Sequence, residues 1–193
     1  MKLLLGTKNK GKIREIKEII DLPQIKLLTY EDRLFSDVAE EGSSFAENAQ
    51  MKARQICKET GLAVLAEDSG LEVVALNGRP GVHSSRFAGE GRSDEERVAK
   101  LLRLLQGVSN RRARFRTVAI LHFPGGEELT AEGELHGKIA LGPRGKSGFG
   151  YDPIFIPEGF TKTLAELGPE VKNEISHRRQ ALEKLMKLLQ VWL

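Results

Sequence analysis

The sequence predicts an α/β fold built on a mixed β-sheet. Strand and helix periods alternate through its first half, a long hairpin pattern follows, and the chain closes on an amphipathic helix. Lys2–Leu5 reads as a short buried strand ending at Gly6, after which Ile13, Ile16, Ile19 and Ile20 recur at helical spacing. Ile25–Thr29 fits a second strand. Ser44 and Glu47 have capping-box spacing ahead of Phe45, Ala49, Ala53 and Ile56, with Gly61 as the stop. Ala63–Ala66 is an apolar run of strand length. Ser93 and Glu96 repeat the capping spacing before Val98, Leu101, Leu102 and Leu105, and Gly107 closes that helix. Arg112–Phe123 alternates as a strand, Pro124-Gly125-Gly126 turns the chain, and Leu129–Ala140 returns as its hairpin partner. Ile154–Ile156 is a short strand. Ser176 then caps a last helix that carries Ala181, Leu182, Leu185, Met186 and Leu189.

Composition narrows the function classes. At 193 residues and 40% hydrophobic content the chain can build its own core, and it reads as a single domain spanning 1–193. Its longest apolar runs, Leu62–Ala66 and Val118–Leu121, fall far short of the roughly 18 residues of a membrane span. The lone cysteine, Cys57, cannot form an internal disulfide, so a reducing, cytoplasmic setting is expected. The +3 net charge is a small excess, and Arg112, Arg114 and Arg116 alternate with Ala113, Phe115 and Thr117 as a solvated strand face would. No nucleic-acid partner is expected on that basis. The histidines lack zinc-ligand spacing, and no nucleophile elbow of a serine hydrolase is present.

Chemistry concentrates in separate segments. Gly6-Thr7-Lys8-Asn9-Lys10-Gly11-Lys12 lies between the first strand and first helix and nearly matches a P-loop, but Ile13 stands where that motif needs Ser or Thr to hold magnesium. Such a turn still aims backbone N–H groups and a positive helix end at an anion. A metal must be held from elsewhere. Glu40-Glu41-Gly42 and Glu67-Asp68-Ser69-Gly70 offer carboxylates, the latter following the apolar run Ala63–Ala66, where α/β folds place ligands; oxygen donors of this kind suit magnesium or manganese. Asp-Ser-Gly is equally good turn chemistry. Gly148-Phe149-Gly150-Tyr151-Asp152-Pro153, with Lys172 and Ser176-His177-Arg178 downstream, fits a flat ligand against an aromatic face; Phe149 and Tyr151 are equally core residues in the making.

Together, and in this order, these segments resemble the inosine triphosphate pyrophosphatase family. Thr7–Lys12, Ser44–Ala49, Ala66–Leu71, Gly78–Val82, Gly148–Pro153 and Ser176–Arg178 carry the resemblance, which runs from Lys2 to about Leu185. Lys8 stands where glycine is common, His83 where tyrosine is common and Arg179 where glycine is common. The resemblance implies an elongated α/β fold of two lobes around a deep cleft, assembled as a homodimer. It implies hydrolysis of ITP, dITP and XTP to the monophosphate and pyrophosphate. Asp68 would accept the proton of the attacking water, Glu40 and Asp68 would hold Mg²⁺ (or Mn²⁺), and Glu67 would lie beside or on the metal. Thr7, Lys8, Asn9, Lys10, Gly11, Lys12 and Lys172 would hold the triphosphate, with Ser69 beside them. Phe149, Gly150, Tyr151, Asp152, His177 and Arg178 would address the base.

Overall fold

A computed structural model describes residues 1–192. Its six strands form one mixed sheet in the order β2-β1-β3-β4-β5-β6. These are β1 (Lys2–Leu5), β2 (Lys26–Leu28), β3 (Ala63–Val73), β4 (Arg112–His122), β5 (Glu128–Ile139) and β6 (Phe155–Pro157). The helices are α1 (Lys10–Ile19), α2 (Phe45–Thr60), α3 (Asp94–Leu104), α4 (Leu164–Ile175) and α5 (His177–Trp192). β1 runs parallel to β2 and β3, whereas β5 and β6 are antiparallel, so the expected mixed α/β class holds. Among the described residues no helix is long and apolar enough to cross a membrane.

Local signals explain most boundaries. Ser44 accepts a hydrogen bond from the Glu47 N–H at the start of α2, and Gly61, at φ 70°, ends that helix in the left-handed conformation glycine tolerates. The Glu47 carboxylate also takes the N–H and hydroxyl of Ser43. At α3 the reciprocal Ser93–Glu96 box is complete. Two expectations need correction. β3 does not stop at Ala66 but continues through Glu67-Asp68-Ser69-Gly70 to Val73, past the end of its pairing with β1, because its place in the sheet beside β4 overrides the turn preference of Asp-Ser-Gly. The sequence also gives no helical period over α4, which Gly168 (φ 85°, ψ 172°) and Pro169 interrupt; a Thr163–Glu166 capping box starts it nonetheless.

The chain divides into two compact units. The first comprises Met1–Asp68, Thr117–Gly133 and the C-terminal stretch from Arg178; its core joins Leu3 and Leu5 to Ile16, Leu121, Leu182 and Leu185. The second comprises Ser69–Arg116 and Glu134–His177, and its core is built on Leu71, Leu101, Leu105, Phe115 and Phe155. In the second unit Arg111 donates to the carbonyls of Leu105, Ile139 and Ala140, tying the end of α3 to β5. The arginine stripe of β4 alternates as expected and is answered by acid: Arg114 pairs with Glu72 at 2.5 Å and Glu134 at 3.2 Å, and Arg116 lies 3.7 Å from Glu134.

Candidate active site

In the first unit β1 ends at Leu5, and Gly6 brings the chain close against β3. A Cβ at Gly6 would lie 3.0 Å from Val64 and 3.1 Å from Ala66, so only glycine enters without displacing neighbours. Thr7 Oγ1 accepts from the Asn9 N–H, and Asn9 Oδ1 caps α1 by accepting from the Lys12 N–H at 3.0 Å. The helix therefore opens at Lys10, with Gly11 in its first turn, and its N-terminus provides the anion-favouring end that the sequence promised. Lys10 is exposed. Lys8 turns to Asp37, 2.8 Å away, with Phe35 beneath its ammonium.

The parallel pairing of β3 with β1 covers Ala63–Leu65, so Glu67 and Asp68 lie just beyond the carboxyl end of β1. Position in the parallel sheet, rather than a turn, puts them there. Both are buried. Lys12 Nζ stands 3.0 Å from Glu67 Oε1, and the same oxygen accepts from Arg178 at 3.2 Å. Arg178, 1% exposed, also pairs with Glu15 on α1. Burial alone would raise the Glu67 carboxyl, but Arg178, Lys12 and Lys52 outweigh it and hold the group well below the usual carboxylate range. Glu67 Oε2 is buried with no hydrogen-bond partner among the described residues. Asp68 differs: burial pushes its carboxyl up, and Lys52, Lys12 and Asn48 only partly oppose that. One strand thus carries two adjacent carboxylates driven in opposite directions.

α2 supplies residues the sequence reading left out of the site. Asn48 Nδ2 donates to Asp68 Oδ2 at 2.9 Å, and its Oδ1 accepts from the Gly42 N–H. Lys52 Nζ lies 2.6 Å from Glu40 Oε1, 2.8 Å from the Glu67 carbonyl and 3.9 Å from Asp68 Oδ1. Asn48, Lys52 and Glu15 had a signal. Asn48 and Lys52 sit four residues apart within the apolar stripe Phe45-Ala49-Ala53-Ile56, and Glu15 lies beside Ile16; each is polar where a helix turns inward.

The second unit gathers the aromatic segment. Phe149 is half-buried, and Lys172 Nζ lies 4.5 Å from its ring centre. Lys172, expected on the triphosphate, pairs with Asp152 Oδ2 at 2.6 Å; both are buried. Asp152 Oδ2 also accepts from the Phe149 N–H. Gly148, at φ 80°, closes over this oxygen, which a Cβ would approach to 2.1 Å. Tyr151 is buried and donates its hydroxyl to the Ser84 carbonyl, and His177 stacks on Phe115 at 4.8 Å between ring centres. Ser69 lies in β3 and Gly150 in the turn after Phe149. Arg178, expected at the base, spends its guanidinium on Glu15 and Glu67.

Fold and site together define an α/β protein whose first helix opens on a Thr7–Lys12 turn beside a buried carboxylate and lysine cluster. The chain belongs to the Ham1 family, whose model matches residues 3–188. A dITP/XTP pyrophosphatase of Aquifex aeolicus is 48% identical over 98% of this chain and 96% of its own. That of Elusimicrobium minutum is 50% identical over 97% and 98%. The structure of the Staphylococcus aureus Ham1 protein superimposes with a TM-score of 0.90 at 41% identity over the whole of both chains.

Proposed function

We propose that this protein hydrolyses non-standard purine nucleoside triphosphates (ITP, dITP and XTP) to the nucleoside monophosphate and pyrophosphate. The observation that carries the reading is Asp68: a buried carboxylate, raised above its ordinary range, fixed by Asn48 and flanked by Lys52, next to the N-terminus of α1 in the chain's first unit. The names of its relatives support the substrate class.

Phosphoryl chemistry asks mainly for positioning and charge neutralisation. Thr7–Lys12 supply the backbone N–H groups of the α1 N-terminus and the ammonium of Lys12 to the triphosphate. Asp68 accepts a proton from the water that attacks the α-phosphorus, and the bond from that phosphorus to the oxygen bridging toward the β-phosphate breaks, releasing pyrophosphate. A carboxylate raised by burial is a better base than a free one. Asn48 keeps its Oδ2 in place, and Lys52 holds Glu40 and Asp68 to one side of α2.

The donor set fits a hard cation. Glu40 and Asp68 offer oxygens only, and the unpartnered, buried Oε2 of Glu67 adds another. No group of three or more acidic, histidine or cysteine side chains is arranged for a metal among the described residues. Magnesium is commonly held by one or two carboxylates together with substrate phosphates. Glu40 and Asp68 would hold the ion, which would neutralise phosphate charge. Phe149 stacks on the purine, with Gly150, Tyr151, Asp152 and His177 shaping its surroundings and Ser69 contacting substrate. Arg178, read as addressing the edge of the base, pairs with Glu15 and Glu67. We further propose a cytoplasmic homodimer.

The test is a panel of nucleoside triphosphates with magnesium, read as monophosphate and pyrophosphate. ITP and XTP should far exceed ATP, EDTA should abolish turnover, and magnesium or manganese should restore it. Release of orthophosphate instead of pyrophosphate would overturn the reading.

A further inference from the structure

Phe149 is flanked by Gly148 at φ 80° and Gly150 at φ 63°, two residues that give the backbone no stiffness of their own. Hydrogen bonds must therefore hold the ring where it is. Asp152 supplies two, its Oδ2 accepting from the Phe149 N–H at 3.0 Å and its own N–H donating to the Phe149 carbonyl at 3.3 Å. A further one comes from a separate element: Asp94 Oδ2 accepts from the Gly150 N–H at 2.6 Å. Asp94 is the first residue of α3, 56 positions earlier in the chain. Its remaining oxygen pairs with Arg97, which also donates to the Arg92 carbonyl, and the Ser93–Glu96 box fixes the helix end on which it rides. An acidic residue in a first helical turn commonly serves the helix dipole alone. Here Glu95 and Glu96 already stand in that turn, and Asp94 is the one whose carboxylate leaves the helix for the Phe149 loop. A carboxylate accepting a backbone N–H makes a charge-assisted, short bond.

We propose that Asp94 is the positioning residue for base recognition, holding the Gly148–Gly150 turn so that Phe149 presents its ring to the purine. The inference rests on the reading that Phe149 stacks on the base, and it concerns the second unit alone. It predicts a separation between the two ends of the substrate. Loss of the Gly150 bond weakens the grip on the base and leaves the grip on phosphate as it was.

The experiment compares wild type with Asp94→Ala, Asp94→Asn and Glu95→Ala. Asp94→Ala should raise KM for ITP about tenfold, the order of one base–aromatic stack, with a far smaller change in kcat. Inhibition by inorganic tripolyphosphate, which has no base, should keep its constant. Asparagine retains an acceptor for the Gly150 N–H and should restore KM to within about threefold of wild type. Glu95→Ala should match wild type. Amide hydrogen exchange at Gly150 should accelerate in Asp94→Ala and stay slow in the other two variants. If Asp94→Ala does not fold, Asp94→Glu keeps the helix charge but displaces the carboxylate, and the same readouts decide. An unchanged KM overturns the proposal, as does a tripolyphosphate constant that weakens in parallel. If wild type fails to convert ITP to IMP and pyrophosphate, the base-stacking reading falls, while Gly150 exchange still decides whether Asp94 holds the turn.

Discussion

Asp68 and Arg178 separate two kinds of buried charge. Asp68 is held by Asn48 through a hydrogen bond that asparagine in its place can reproduce by offering its carbonyl oxygen. Asp68→Asn should therefore fold, while kcat falls by roughly 10²–10⁴, the usual contribution of a general base. Circular dichroism and steady-state rates on ITP check both halves; turnover within tenfold of wild type would remove Asp68 from the reaction. Arg178 is the opposite case. It is the cation between Glu15 and Glu67, all three buried. Arg178→Ala would remove the cation that both buried carboxylates face. Breaking a buried pair from one side costs about 3–5 kcal/mol. For a chain of this size that lowers Tm by roughly 6–20 °C. A thermal melt reads this directly. If Arg178 also exchanges partners to reach the base, the ITP-to-ATP ratio of kcat/KM falls too, measured where the variant is folded.

At the scale of elements, Glu128 at the start of β5 joins α2 to the hairpin. It accepts from Arg54 at 2.8 Å and Gln50 at 2.7 Å, both on α2, and it meets His122 Nδ1 at the end of β4 at 3.0 Å. The hydrogen bond from Arg54 is the largest cause holding its carboxyl below the ordinary range, with Gln50 and His122 adding to it. A depressed carboxylate contributes stability above its unfolded pKa of about 4.3 and loses it as pH falls through the lowered folded value. Glu128→Gln should accordingly lower Tm near neutral pH, and the gap from wild type should close as pH falls below about 4. A gap that stays constant with pH would show packing, not charge, at work. The same scale shows what a reader of the sequence can see. β1, α2 and α3 were legible because a cap, a period and a stop residue agree at each. β3 is harder to see because Glu67-Asp68-Ser69-Gly70 has turn chemistry locally, and only its place in the sheet beside β4 reveals it as strand. α4 hid behind Gly168 and Pro169. Within the site, Asp68, Lys12 and Phe149 stood out by motif. Lys52 did not, and Asn48 lies in the Ser44–Ala49 motif without a role of its own, since a polar residue in an apolar stripe announces burial without naming its partner.

For the whole molecule, order along the chain and membership of a compact unit do not coincide. The first unit takes residues from the beginning, the middle and the end of the sequence. Its core pairs Leu3 and Leu5 of β1 with Ala181, Leu182, Leu185, Met186 and Leu189 of α5. Removing α5 should leave that core open, since losing one large buried aliphatic residue already costs about 2–5 kcal/mol. A chain truncated after Ser176 is expected to lose its cooperative melt and to bind a hydrophobic dye; a sharp transition would show that α5 is dispensable. The arrangement also sets a timetable for biosynthesis. The ribosome releases β1 and α1 early, yet the helix that covers them, α5, follows α1 by about 160 residues. At roughly 5–20 residues per second the nascent N-terminal segment spends on the order of ten seconds or more without its final partner. Until α5 has emerged, keeping those leucines out of aggregates is the work of chaperones and of the strands already made.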